Sequence, residues 1–203
     1  WKALDGLARH ASLLYRAVAD EAGSDVLVDS SNWPLNPASL GLVPDVDTVV
    51  VQLVRDPRGV AFSWQREKSL ADGRGEMTRR GAAHSALSWM ARNGAAEIAR
   101  RRAGDRGVLA RYEDFVREPR TVVSSVVEAA GSGAVDLSTI RESSLHLPPN
   151  HTVAGNPGRF RSGEVELELD TEWARAQPAG DRLTVTALTL PLLVRYGYPL
   201  LTI

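Results

Sequence analysis

The chain is 203 residues long, 43% hydrophobic and 24% charged, the composition of one soluble globular domain able to bury about 70% of its unfolded surface. A formal net charge of −1 excludes a general attraction to nucleic acid or anionic membrane, so any anion site must come from local clustering. The lack of cysteine excludes disulfides, zinc–thiolate centres and cysteine nucleophiles.

Leu4, Leu7, Ala8, Ala11, Tyr15 and Val18 recur at three- and four-residue steps, which predicts an amphipathic helix ended by Gly23. The chain opens on Trp1 inside this helical pattern, and the expectation is that further sequence precedes it. Asp25 to Val28 reads as a short strand with Asp29, Ser30 and Ser31 at its carboxyl end. Pro34, Pro37 and Pro44 make the next segment a loop. Thr48 to Val54 is almost continuously apolar and β-branched, the pattern of a parallel strand buried on both faces. Asp56 supplies an N-cap oxygen and Pro57 a first-turn residue, so a helix begins there and runs to about Lys68.

Beyond a mobile Asp72-Gly-Arg-Gly75 loop, Ala83, Leu87, Met90, Ala91, Gly94 and Ile98 predict the apolar face of a long helix. Gly107 to Arg111 is a third strand, Asp114 and Glu118-Pro119 open one or two helices to Ala130, and Gly131-Ser-Gly133 turns the chain. Residues 143 to 164, rich in Ser, Pro, Asn and Gly, predict a loop long enough to be a functional cover. A last helix spans about Asp181 to Arg195, bent at Pro191 and closed by Gly197. Its apolar run, Ala187 to Val194, is too short for a membrane span. No signal peptide is visible, and the Ala-, Arg- and Gly-rich composition fits a cytoplasmic protein. Strands alternating with helices predict an α/β fold, a parallel sheet between two helical layers in a three-layer α/β/α arrangement, with no internal repeat and no linker dividing residues 1–203.

The sharpest chemical signal is Arg55 with Ser63. Arg55 stands at the carboxyl end of a predicted strand, where open α/β sheets bind ligands. A fixed cation, a helix N-terminus and a hydroxyl two turns along suit a phosphate. Only Lys2 and Lys68 are lysines among the 24 basic residues, so fixed cations here are mostly arginines, which favour bidentate oxyanion contacts. Arg58 in the first helical turn either adds charge at the anion or is solvated. Trp64 either presents its indole to a base or packs in the core. The scattered His10, His84 and His146 have no ligand spacing, and no metal is expected.

LVRDPRGVAFSW (53 to 64) resembles the segment by which sulfotransferases hold the 3′-phosphate of 3′-phosphoadenosine 5′-phosphosulfate (PAPS). VDSSN (28 to 32) is similar to the family's post-strand DSSK segment, RYEDF (111 to 115) to its RYEDL, and HTVAGNPGRFRSG (151 to 163) to the cofactor-covering loop of many actinobacterial members. The likeness spans about residues 25 to 197. It implies a P-loop NTPase-like sulfotransferase fold, N-terminally incomplete, the chain being the C-terminal two-thirds of a single domain whose first strand and 5′-phosphosulfate loop precede Trp1. It implies that Arg55 and Ser63 grip the 3′-phosphate, and that Arg159 or Arg161 reaches a phosphate while Asn156 and Gly158 shape the cover turn. Ser31 and Trp64 would complete the cofactor contacts. Asn32 stands where related enzymes usually carry Lys, and it brings no charge to the leaving oxygen. The implied cofactor is PAPS, giving adenosine 3′,5′-bisphosphate as product, and the implied reaction is sulfuryl transfer to a hydroxyl or amine of a small-molecule, glycan or peptide acceptor. A non-catalytic bisphosphate-binding module and a nucleotide kinase of related fold are the alternatives, although no G-x-x-x-x-G-K-[ST] is present.

Overall fold

A computed structural model describes residues 2–30, 43, 46–66, 79–149 and 160–200. In chain order these form helix α1 (Lys2–Ala22), strand β1 (Val50–Val54), helix α2 (Pro57–Gln65), helix α3 (Ala82–Arg102), a 3-10 turn (Gly104–Arg106) and strand β2 (Gly107–Arg111). Helices α4 (Tyr112–Arg117) and α5 (Pro119–Ala130), strands β3 (Ser144–Leu147) and β4 (Gly163–Glu166), and helices α6 (Glu172–Ala176) and α7 (Ala179–Arg195) follow. The fold is mixed α/β. β1 and β2 pair in parallel from Val50 opposite Gly107 to Val54 opposite Arg111, with α2 and α3 in the crossover that parallel pairing requires.

Three helices make the main core with β1. α3 packs against α7, and α2 lies against both. Ala61, Ala86 and Val185 are fully buried where α2, α3 and α7 meet; small side chains let three backbones approach there. Beneath β1, Val54, Trp89, Leu193, Tyr196 and Tyr198 form the larger cluster, with Trp89 and Tyr196 edge to face at 5.9 Å. Among the described glycines, close approach is most severe at Gly107, where a Cβ would lie 2.1 Å from the Arg100 carbonyl oxygen. Only glycine lets β2 start under the end of α3.

The cluster also holds a buried polar chain. Gln52 on β1 donates to the Tyr196 hydroxyl at 3.0 Å and the Asn93 carbonyl at 3.2 Å, and accepts from Arg100 Nε at 3.2 Å. Tyr196 donates to Glu97 Oε2 at 3.2 Å, and Arg195 and Arg101 neutralise the same carboxylate at 2.6 and 2.9 Å. Each partner meets a complementary group, which makes burial of these groups tolerable.

Several expectations are corrected. Among the described residues β1 is covered on one face: Val50, Gln52 and Val54 point into the core while Val51 and Leu53 are exposed. Among the described residues the continuous apolar run therefore does not report two-sided burial, because α3 and Leu193 of α7 pack against the inner face and leave Val51 and Leu53 exposed. Asp25–Val28 forms no strand, and Val28 is 90% exposed. The buried side of α3 carries Ala82, Ser85, Ala86, Trp89 and Glu97, whereas Leu87 and Ile98 of the predicted apolar face are exposed. The long loop of residues 143–164 contains β3 and the start of β4, paired antiparallel from Ser144 opposite Glu166 to Leu147 opposite Gly163. α6 is an additional short helix. α1 ends where Gly23 takes a left-handed φ of 58°, as its sequence predicts.

Candidate functional site

The turn from β1 into α2 is built first by local chemistry. Asp56 is 5% exposed and caps α2, its Oδ1 accepting from the Arg58 backbone N–H at 2.9 Å. The backbone N–H of Asp56 donates to Glu113 Oε1 at 3.0 Å, and Glu113 Oε2 accepts from the Tyr198 hydroxyl at 2.7 Å. Tyr198 also reaches the Val54 carbonyl at 3.3 Å, and Trp89 Nε1 donates to the Arg55 carbonyl at 3.1 Å. Every side of the turn is held by a hydrogen bond.

Arg58 is a structural part of this turn, not a ligand cation. It is 1% exposed and grips Asp56 through Nε and Nη2 at 2.9 and 2.7 Å. The remaining donors go to the carbonyls of Pro199 at 2.8 Å and Leu200 at 3.3 Å, and the guanidinium lies 4.8 Å from the Trp173 ring centre. With Asp56, the two carbonyls and Trp173 around it, this guanidinium has its donors taken within the fold.

Arg55 turns the other way. Its guanidinium stacks 4.7 Å above the Tyr112 ring, and Tyr112 is itself fixed by donating to the Glu168 carbonyl at 3.1 Å. One Nη2 lies 3.4 Å from the position a Cβ on Gly59 would take, so the guanidinium rests on the Gly59 side of α2. Ser63, half-buried, is four residues on and therefore one turn along the same face. The predicted pair thus shares one side of α2.

An anion of the chain's own already meets this cation. Arg55 Nη2 donates to Asp170 Oδ2 at 2.8 Å, and Arg66 Nη2 approaches the same oxygen at 3.8 Å. Arg66, the residue after α2, also pairs with Glu172 and stacks 4.9 Å above Phe62. Partial burial raises the Asp170 carboxyl, but the Arg55 hydrogen bond and charge, the Glu172 N–H and the Arg66 charge outweigh it and hold it below the usual carboxylate range. Asp170, Tyr112 and Arg66 carry no signal in the sequence for this site: Asp170 comes 115 positions after Arg55, and only the contact identifies it.

Trp64 faces cations. Arg80 stacks 4.1 Å from its ring centre and Arg92 lies at 5.9 Å, so the face expected to receive a base already carries a guanidinium. Arg161 is exposed just ahead of β4. Ser31, Asn32, His151, Asn156, Gly158 and Arg159 lie outside the described residues. Asp29 accepts from the Tyr15 hydroxyl at 2.6 Å, and that bond with the neighbouring carboxylate pushes the Tyr15 phenol up to about 12. In the RYEDF segment Glu113 does not cap its own helix but braces the β1–α2 turn, while Asp114 pairs with Arg111 at 3.1 Å. Two surface cavities, of about 490 Å³ beside α5 and about 380 Å³ beside α1, lie away from Arg55. The second, lined by Tyr15, Asp29 and Ser30, borders the predicted post-strand segment. Among the described residues no helix is long and apolar enough to cross a membrane. Against family models, curated proteins and solved structures, the chain matches none.

Proposed function

We propose that this chain binds the 3′-phosphate end of PAPS and serves a sulfotransferase of P-loop NTPase-like, three-layer fold, acting in the cytoplasm. The observation that carries the reading is the Arg55 guanidinium at the carboxyl end of a parallel strand, laid along the α2 face that bears Ser63 and already bonded to a carboxylate oxygen. A guanidinium that already holds one oxyanion through Nη2 suits another, and its fork can take a second oxygen. PAPS would supply the sulfuryl group moved to an acceptor hydroxyl or amine. The residues of this chain fix and neutralise the far phosphate: Arg55 by charge, Ser63 by its hydroxyl, and Tyr112 by holding the Arg55 plane from behind. Arg161, with Asn156 and Arg159 of the cover segment, belongs to the same proposal, as do Ser31 and Trp64; for Trp64 a bound base would have to displace Arg80.

Calorimetric titration with adenosine 3′,5′-bisphosphate, beside 5′-AMP, tests the reading. The expected result is a preference for the bisphosphate of about 10- to 100-fold, the size of a charge-assisted contact, abolished by Arg55→Ala. Equal affinity for both nucleotides, or an undiminished preference in a folded Arg55→Ala variant, overturns it. Asn32 favours a second reading, a bisphosphate-binding module without sulfuryl transfer, because it puts a neutral group where related enzymes place a charge. Bisphosphate binding without turnover of PAPS identifies that module.

A further inference from the structure

We propose that Arg66 is a second ligand of the Arg55 anion site and that Asp170 is its built-in occupant, so that an incoming phosphate binds by displacing the Asp170 carboxylate. The inference rests on the reading above for the identity of the anion, though not for its place. Three observations carry it. First, two guanidinium groups converge on one oxygen, Asp170 Oδ2, at 2.8 and 3.8 Å from Arg55 and Arg66. Second, the arrangement is open: the side chains of Arg55, Asp170 and Arg66 keep 25%, 32% and 36% of their surface in solvent. Ion pairs that exposed contribute little to stability, and the burial-dependent task in this turn falls to the Asp56–Arg58 pair instead. Third, Arg66 Nε is buried without a hydrogen-bond partner among the described residues. A buried guanidinium N–H left over is costly unless an acceptor completes it; Asp170 and Glu172 both meet Arg66 and still leave it unmet, and a phosphate brings further oxygens.

Geometry permits the exchange. Asp170 stands in the irregular segment between β4 and α6, held there by its bonds to Arg55 and to the Glu172 N–H at 3.3 Å. Neither bond is enclosed. A phosphate entering between Arg55 and Arg66 meets both cations and the Ser63 side of α2, while Asp170, now facing a like charge, is driven outward. The measured affinity is then the intrinsic affinity reduced by the fraction of time the carboxylate is in place.

The test is titration of the whole chain with inorganic phosphate and with adenosine 3′,5′-bisphosphate, for wild type, Asp170→Asn, and Asp170→Asn combined with Arg66→Ala. Asn keeps the oxygen that meets the Glu172 N–H but loses the charge; Asp170→Ser is the second variant, and thermal melting establishes that each is folded. We expect Asp170→Asn to bind phosphate about five- to tenfold more tightly than wild type, and Arg66→Ala to remove that gain. Unchanged phosphate affinity in both Asp170 variants overturns the displacement, and a full gain without the Arg66 side chain overturns its role. Tighter phosphate binding without any preference for the bisphosphate leaves this inference standing and removes the nucleotide reading.

Discussion

Arg58 is 1% exposed while the Arg55 side chain keeps a quarter of its surface in solvent, although only Asp56 and Pro57 separate them. The difference is one of partners. Arg58 has a bidentate carboxylate, two carbonyls and an indole face, whereas Arg55 has one carboxylate oxygen and a ring. Arg58→Ala should therefore destabilise the chain by about 3–5 kcal/mol, because it leaves the Asp56 carboxylate buried without its counter-charge. Urea unfolding measures this, and Arg58→Lys should recover only part of the loss, since an ammonium cannot reproduce the fork. Asp56 and Pro57 were legible as the helix start because capping is local chemistry. The burial of Arg58 was not, because its carbonyl partners, Pro199 and Leu200, lie 141 and 142 positions away. Asp170 was hidden for the same reason.

At the scale of elements, boundaries were easier to read than faces. The ends of α1 at Gly23 and α5 at Gly131 follow from glycines with φ of 58° and 64°. The inward face of α3 defeats hydrophobic periodicity because Ser85 and Glu97 are buried while Leu87 and Ile98 are exposed. Glu97 is admitted only because Arg195, Arg101 and Tyr196 meet it, and two of those partners belong to the distant C-terminal segment. β3 and β4 are not legible in the sequence because each is four residues long, mixes polar with apolar side chains and finds its partner across the intervening residues. The junction of α3 with β2 gives a sharp test. Gly107→Ala would drive a methyl group against the Arg100 carbonyl, which is backbone and cannot swing aside. We expect a loss of about 1–3 kcal/mol, read as a lowered midpoint in thermal unfolding, with α-helical circular dichroism retained below it.

For the whole molecule, the two tyrosines of the C-terminal segment make stability depend on alkaline pH. Burial, with hydrogen bonding to Glu113 and its charge, pushes the Tyr198 phenol far up, and burial also raises Tyr196. The unfolded chain releases phenolic protons near pH 10, while the folded chain keeps them. Stability from these groups is therefore complete below that pH and declines as pH rises above it. Tyr198→Phe should lower stability at pH 8 by about 1–3 kcal/mol, through the bonds lost to Glu113 and Val54. The same variant should lose less on going to about pH 11, as urea midpoints at the two pH values would show. These two tyrosines also order events in time. Tyr198 meets the Val54 carbonyl 144 positions after it, so on a ribosome adding about 5–20 residues per second the nascent chain waits roughly 7–30 s for that contact. Until then Val54 and Trp89 lack Tyr196 and Tyr198, the aromatic partners that complete their cluster.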